Sequence, residues 1–154
     1  MGEFLAGRGN LPQALEHYRK AVTWDPGSAP IHHDLAVVLS GLSQDMEAVE
    51  ELRKAVQLEP SDTEYHFSLG LALSGAGELD QAIPEFREAV RLDPKDVDAL
   101  RNLGLALAQK NDLKGAEEAL RRAEELAPDD GRVAAALASV RARLGVSGKP
   151  GNPP

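Results

Sequence analysis

The sequence predicts an all-α fold, a solenoid of stacked antiparallel helix pairs, on three observations. Prolines stand at Pro26, Pro60, Pro94 and Pro128, each 34 residues after the one before. A fixed period of roughly 20 to 50 residues marks a repeat architecture. Apolar residues make up 42% of the chain but aromatics only 4%. A core of Ala, Leu and Val suits close helix packing, whereas sheets enrich β-branched and aromatic residues. Finally, each proline sits in a pentapeptide that stops one helix and starts the next, as in Leu58-Glu59-Pro60-Ser61-Asp62. Proline lacks the N–H a helix needs and drives the preceding residue out of the helical region. Two residues later stands Ser28, Asp62, Asp96 or Asp130, whose side chain is suited to accept from the orphan N–H groups of a new helix.

The elements follow in order. A short helix over Gly2–Ala6, a glycine turn and a second helix over Leu11–Thr23 form an incomplete first unit, residues 1–28. Leu15, Tyr18 and Val22 recur there at helical spacing, and Pro12 falls in the first turn, where proline is tolerated. Residues 29–62 form a complete unit, with helices over Ala29–Leu42 and Met46–Leu58. Residues 63–96 repeat it over Thr63–Ala76 and Leu79–Leu92, and residues 97–130 over Val97–Lys110 and Leu113–Leu126. Gly77 and Asn111 suit the left-handed conformation that commonly ends a helix. Asp45 breaks the apolar column Leu11, Leu79, Leu113, so the turn at 43–46 is expected to be looser. Pro84 is expected to bend its helix slightly without breaking it. Residues 131–145 form a capping helix, polar on its outer face through Arg132, Arg141 and Arg143, and residues 146–154 a disordered tail. Repeat arrays need such caps.

Composition limits the chemistry. The formal net charge is −8, which argues against nucleic acid or anionic membrane as a partner, since both call for clustered Lys and Arg. No cysteine is present, so disulfides, thiol catalysis and cysteine zinc sites are excluded. No apolar run approaches the ~20 residues of a membrane helix, and Met1–Gly9 lacks the pattern of a signal peptide. A cytoplasmic location is expected, and the Ala, Gly, Leu and Arg content points to a bacterial source.

Other columns agree at the same period. Leu35-Ala36, Leu69-Gly70 and Leu103-Gly104 fall in register, as do Ala14, Ala48, Ala82 and Ala116, then Tyr18, Leu52, Phe86 and Leu120, then Ala21, Ala55, Ala89 and Ala123. Small columns let helix axes approach and large ones fill the space between. With Leu-Gly, Ala, a large apolar residue, Ala and Pro on a 34-residue period, the chain resembles the tetratricopeptide repeat family. Where that family places an aromatic three residues before Leu-Gly, this chain has His32, His66 and Leu100.

The resemblance implies a right-handed α-α superhelix whose first helices line a concave face that takes an extended or helical peptide. By place, that groove draws His33 and Val37 from one unit, and Phe67 and Leu71 from the next. The third supplies Arg101, Asn102, Leu105 and Gln109, and the capping helix adds Arg132 and Arg143. Val37, Phe67, Leu71 and Leu105 make an apolar strip. The arginines make a basic end suited to carboxylates, and Asn102 offers both donor and acceptor to a peptide backbone. The expected ligand therefore carries apolar anchors and acidic groups. The alternative for Arg101 and Arg143 is ordinary solvated helix surface. Some members hold a C-terminal carboxylate with two lysines, two asparagines and an arginine. Only Asn102 and Arg132 match here, so that co-chaperone role is not expected.

No other constellation suggests chemistry. His32 and His33 diverge on a helix, and His32 and His66 lie about one helix spacing apart (~10 Å), too far to share an ion. They read as packing residues, with no metal or cofactor expected. Glu50-Glu51 and Glu117-Glu118 read as solvated outer faces. No catalytic triad order, glycine-rich phosphate loop or HExxH pattern is present, so no enzyme activity is expected of this chain. The protein-interaction scaffold leads. Two other readings stay open: self-association through residues 1–28, whose Phe4, Leu5, Leu11 and Tyr18 are expected to be poorly covered, and a substrate-presenting piece of a larger enzyme.

Overall fold

The computed structural model describes residues 10–145. Eight helices are described, α1 (Leu11–Trp24), α2 (Ala29–Gly41), α3 (Asp45–Leu58), α4 (Thr63–Gly75), α5 (Leu79–Leu92), α6 (Val97–Gln109), α7 (Leu113–Leu126) and α8 (Gly131–Leu144), with no strand among the described residues. The expected helix over Gly2–Ala6 and the tail lie outside them. None of these helices is long and apolar enough to cross a membrane. The contacts divide the chain into two compact units, residues 1–92 and 93–154.

The proline corners behave as the sequence predicts, with one exception. The Asp62 carboxylate accepts from the backbone N–H of Glu64 and Tyr65, Asp96 from Ala99, and Asp130 from Arg132. Ser28 holds the same place at the start of α2 but makes no such bond. Pro30 stands two residues on and has no N–H to offer there. Pro84 lies inside α5, which runs unbroken from Leu79 to Leu92.

The hairpin turns share one form. Gly77 and Asn111 take positive φ of 81° and 64°, and Ser43 takes the same conformation at 59°. In each turn the next N–H reaches back to a carbonyl: Gln44 to Leu39 at 2.9 Å, Glu78 to Leu73 at 2.8 Å, Asp112 to Leu107 at 2.9 Å. The turn at 43–46 is therefore as tight as the others, contrary to expectation. Asp45 opens α3, at a helix N-terminus that favours a carboxylate, so losing the leucine does not loosen the backbone.

In unit 1 the core runs along α1–α5, through Ala14, Leu35, Leu39, Leu52, Leu69, Leu73 and Phe86, each under 5% exposed. Gly70 lets α4 and α5 meet: a Cβ there would lie 2.6 Å from the Phe86 ring. In unit 2 the same roles fall to Leu100, Leu103, Leu107, Leu120, Val133 and Leu137, and a Cβ on Gly104 would lie 2.6 Å from Leu120. Each glycine is thus fixed by a large side chain from the second helix of its own pair.

Candidate functional site

A repeat buries most of what it has, so the informative apolar residues are those left out. Val37, Leu71 and Leu105 are 54%, 43% and 37% exposed. They stand 34 residues apart, one on each first helix. The flanking positions are covered: Ala36 and Val38 beside Val37, Ala72 beside Leu71, Gly104 and Ala106 beside Leu105. On these first helices one apolar residue is therefore held outward at the same helical phase, while Trp24, Leu58 and Leu126 form a second exposed column at the ends of the second helices.

In unit 1 that phase is organised. A hollow of about 220 Å³ opens between α2 and α4. Its floor is Ala36, Leu52 and Ala72, its walls Val37 and Leu71, its rim Ser40 and Ser68, and Asp45 stands at one end. His33, beside it, is half-buried. Its Nε2 lies 3.0 Å from the Ser68 hydroxyl, its ring 5.2 Å from Tyr65, and its Nδ1 3.7 Å from Asp34. Phe67 is half-buried too, its ring 6.0 Å from Phe86 at 52°. Phe67 thus belongs as much to the core as to the surface.

In unit 2 the predicted polar residues already have partners. Arg101 donates to Asp98 at 2.9 Å, though its Nε is buried without an acceptor. The Asn102 amide donates to the Asp98 carbonyl at 2.8 Å. Arg132 forks onto the Asp130 carboxylate at 3.1 and 2.7 Å. Arg132's hydrogen bonds from side chain and backbone hold that carboxyl down at about 2. Arg143 donates to the Ala108 carbonyl at 2.9 Å and to Asn111 at 3.2 Å, closing the end of α6. Arg141 donates to Glu117 at 3.1 Å. Gln109 is exposed.

The histidines expected to be packing residues do more than pack. His32 Nδ1 lies 2.6 Å from Glu51, and its Nε2 donates to the Pro26 carbonyl at 3.0 Å. His66 repeats this with Glu85 at 2.7 Å and the Pro60 carbonyl at 3.0 Å. Each ring pins the proline corner to the second helix of its repeat. The expectation that Glu51 and Glu117 are merely solvated is corrected, because only 15% of the Glu51 side chain is exposed and Glu117 meets Arg141. Burial pushes the Glu51 carboxyl up, but bonds from Lys54 and His32 outweigh it and leave the pKa lowered. Leu100 and Ala119, both buried, replace the pair in the third repeat. Sequence reasoning missed the clasp, although His and Glu recur at one separation and disappear together.

At the start of the chain, Tyr18 is buried and Leu11 half-buried, so neither forms the poorly covered surface expected of residues 1–28. Phe4 and Leu5 lie outside the described residues.

The family pattern described as tetratricopeptide repeat matches residues 34–96 and 69–131, and a second pattern of that description matches residues 1–20. No curated protein matches the chain. Among solved structures, MamA from Desulfovibrio magneticus RS-1 is 21% identical with a TM-score of 0.89, over 94% of this chain and 82% of that one. PilF from Pseudomonas aeruginosa is 29% identical with a TM-score of 0.82, over 94% of this chain and 66% of that one. YrrB, described as a TPR protein with an unusual peptide-binding site, is 27% identical with a TM-score of 0.67, over 88% and 87%. These likenesses agree on an all-α superhelix of antiparallel helix pairs. With the family pattern spanning well over half its length, the chain belongs to the tetratricopeptide repeat family.

Proposed function

We propose that the protein is an interaction scaffold that binds a polypeptide segment, extended or helical, on the exposed face of its first helices. The observation that carries this reading is the pair Val37 and Leu71, exposed at one phase on α2 and α4 as the walls of the hollow in unit 1; Leu105 holds the same phase on α6 within unit 2. Scattered apolar residues need no explanation, but two at equivalent positions walling one hollow do. The peptide-binding site named for YrrB supports the same class of partner. Apolar anchoring is the part of the expected ligand that the geometry favours. The acidic part is weakened, because Arg101, Arg132 and Arg143 already serve acceptors of this chain.

The test is capture of partners from a lysate of the source organism by the native chain and by a Val37→Ser, Leu71→Ser, Leu105→Ser variant. All three side chains are exposed, so helical content should be unchanged. Partners specific to the native chain should disappear from the variant. Retention of all of them would place binding elsewhere.

A further inference from the structure

The hollow in unit 1 has a chemical identity of its own, which rests on the reading just given. In the first unit Leu11 covers a glycine: its Cδ1 lies 3.1 Å from where a Cβ on Gly41 would be. One repeat on, the glycine is Gly75 and the residue facing it is Asp45, with its carboxyl carbon 3.6 Å and its oxygens 3.7 Å from the corresponding position. A carboxylate leaves apolar space unfilled where leucine would fill it. The hollow of about 220 Å³ is bounded by Val37, Leu52, Leu71 and Ala72, with Asp45 at its end. That is below the ~300 Å³ at which small-molecule sites begin and suits one long side chain. The Asp45 carboxylate has no hydrogen bond or ion pair among the described residues. Its place in the first turn of α3 complements the helix dipole, a role that leaves its acceptor sites open. The wider field has the same sign. Residues 1–92 carry fifteen Asp and Glu against seven Lys and Arg, a net of −8, whereas residues 93–154 carry ten of each.

We propose that this hollow takes a lysine side chain of the bound segment. Its four-carbon stem lies along Val37, Leu52 and Leu71, and its ammonium donates to Asp45. Lysine buries its stem on apolar surface while its charge finds a polar partner, and an apolar slot ending in one carboxylate supplies both.

The test uses two pools of fluorescein-labelled randomised peptides, identical except for a central lysine or norleucine, titrated against the full chain by fluorescence polarisation. Norleucine keeps the stem and lacks the ammonium. The lysine pool should bind about tenfold more tightly, the size of one charge-assisted hydrogen bond. Asp45→Asn should erase the difference. Glu50→Gln removes the same charge from an exposed position outside the hollow and should leave the difference intact. Equal affinity of the two pools for the native chain overturns the lysine assignment while the binding face stands. Loss of the preference in Glu50→Gln overturns it as well, by tracing it to the general field. Failure of both pools to bind overturns the binding face itself.

Discussion

His66 stands 2.7 Å from the Glu85 carboxylate while its other ring nitrogen holds the Pro60 carbonyl at 3.0 Å. Three parts of one repeat meet in that ring: the corner that precedes it, the first helix that carries it and the second helix that faces it. His32 and Glu51 repeat the arrangement. The third repeat holds its corner with Leu100 and Ala119 in those places, so an apolar pair is a native substitute.

That comparison sets the first prediction. His66→Leu removes one partner and leaves Glu85, with a quarter of its side chain exposed, facing an apolar group. The loss should be about 1–3 kcal/mol, as for an unsatisfied buried polar group. Adding Glu85→Ala copies the third repeat and should recover much of it. Urea unfolding followed by circular dichroism measures both. The single Trp24 is 89% exposed and reports poorly on the core. A double variant no better than the single would show that the clasp is not what the histidine contributes.

Gly70 gives a second. A methyl group there would lie 2.6–3.0 Å from three carbons of the Phe86 ring, and Phe86, 1% exposed, has nowhere to withdraw. Overpacking of this kind costs about 1–3 kcal/mol, against a gain of about 1 kcal/mol in helix propensity. Gly70→Ala should therefore be a net loss. With Phe86→Leu in the background, giving the Ala36 and Leu52 pairing of the preceding repeat, the same change should cost less. An equal cost in both backgrounds would place the strain elsewhere.

Asp130 predicts an acid limb. Its folded pKa of about 2 lies below the unfolded value of 3.8. A depressed carboxylate contributes stability that is present above the unfolded value and lost as pH falls through the folded one. Thermal melting of the native chain should therefore drop between pH 3.8 and about 2 more steeply than that of Asp130→Asn. Parallel curves would show that the Arg132 fork adds nothing in solution.

Much of this was legible because the repeat is local. Proline corners and apolar columns fix helix ends within about a residue, and the αL positions followed from Gly77 and Asn111. What escaped was interaction at a distance within a repeat. Nothing in the neighbourhood of His32 indicates Glu51, 19 residues away. The arginines looked available because their acceptors, an aspartate two or three residues back or the carbonyl of Ala108, depend on side-chain direction. In the sequence Asp45 marks only a break in the leucine column and a looser turn. With the turn closed by backbone bonds, Asp45 instead stands in the lining of the hollow with Val37 and Leu71.

The central claim is that the column led by Val37 and Leu71 is the binding face. Amide chemical-shift mapping tests it most directly, with a peptide selected for this chain from a randomised display library. The shifts should concentrate on α2 and α4 around His33, Val37, Ser68 and Leu71, and vanish in the Val37→Ser, Leu71→Ser variant. Shifts concentrated on the second helices α3 and α5 and retained in that variant would contradict it.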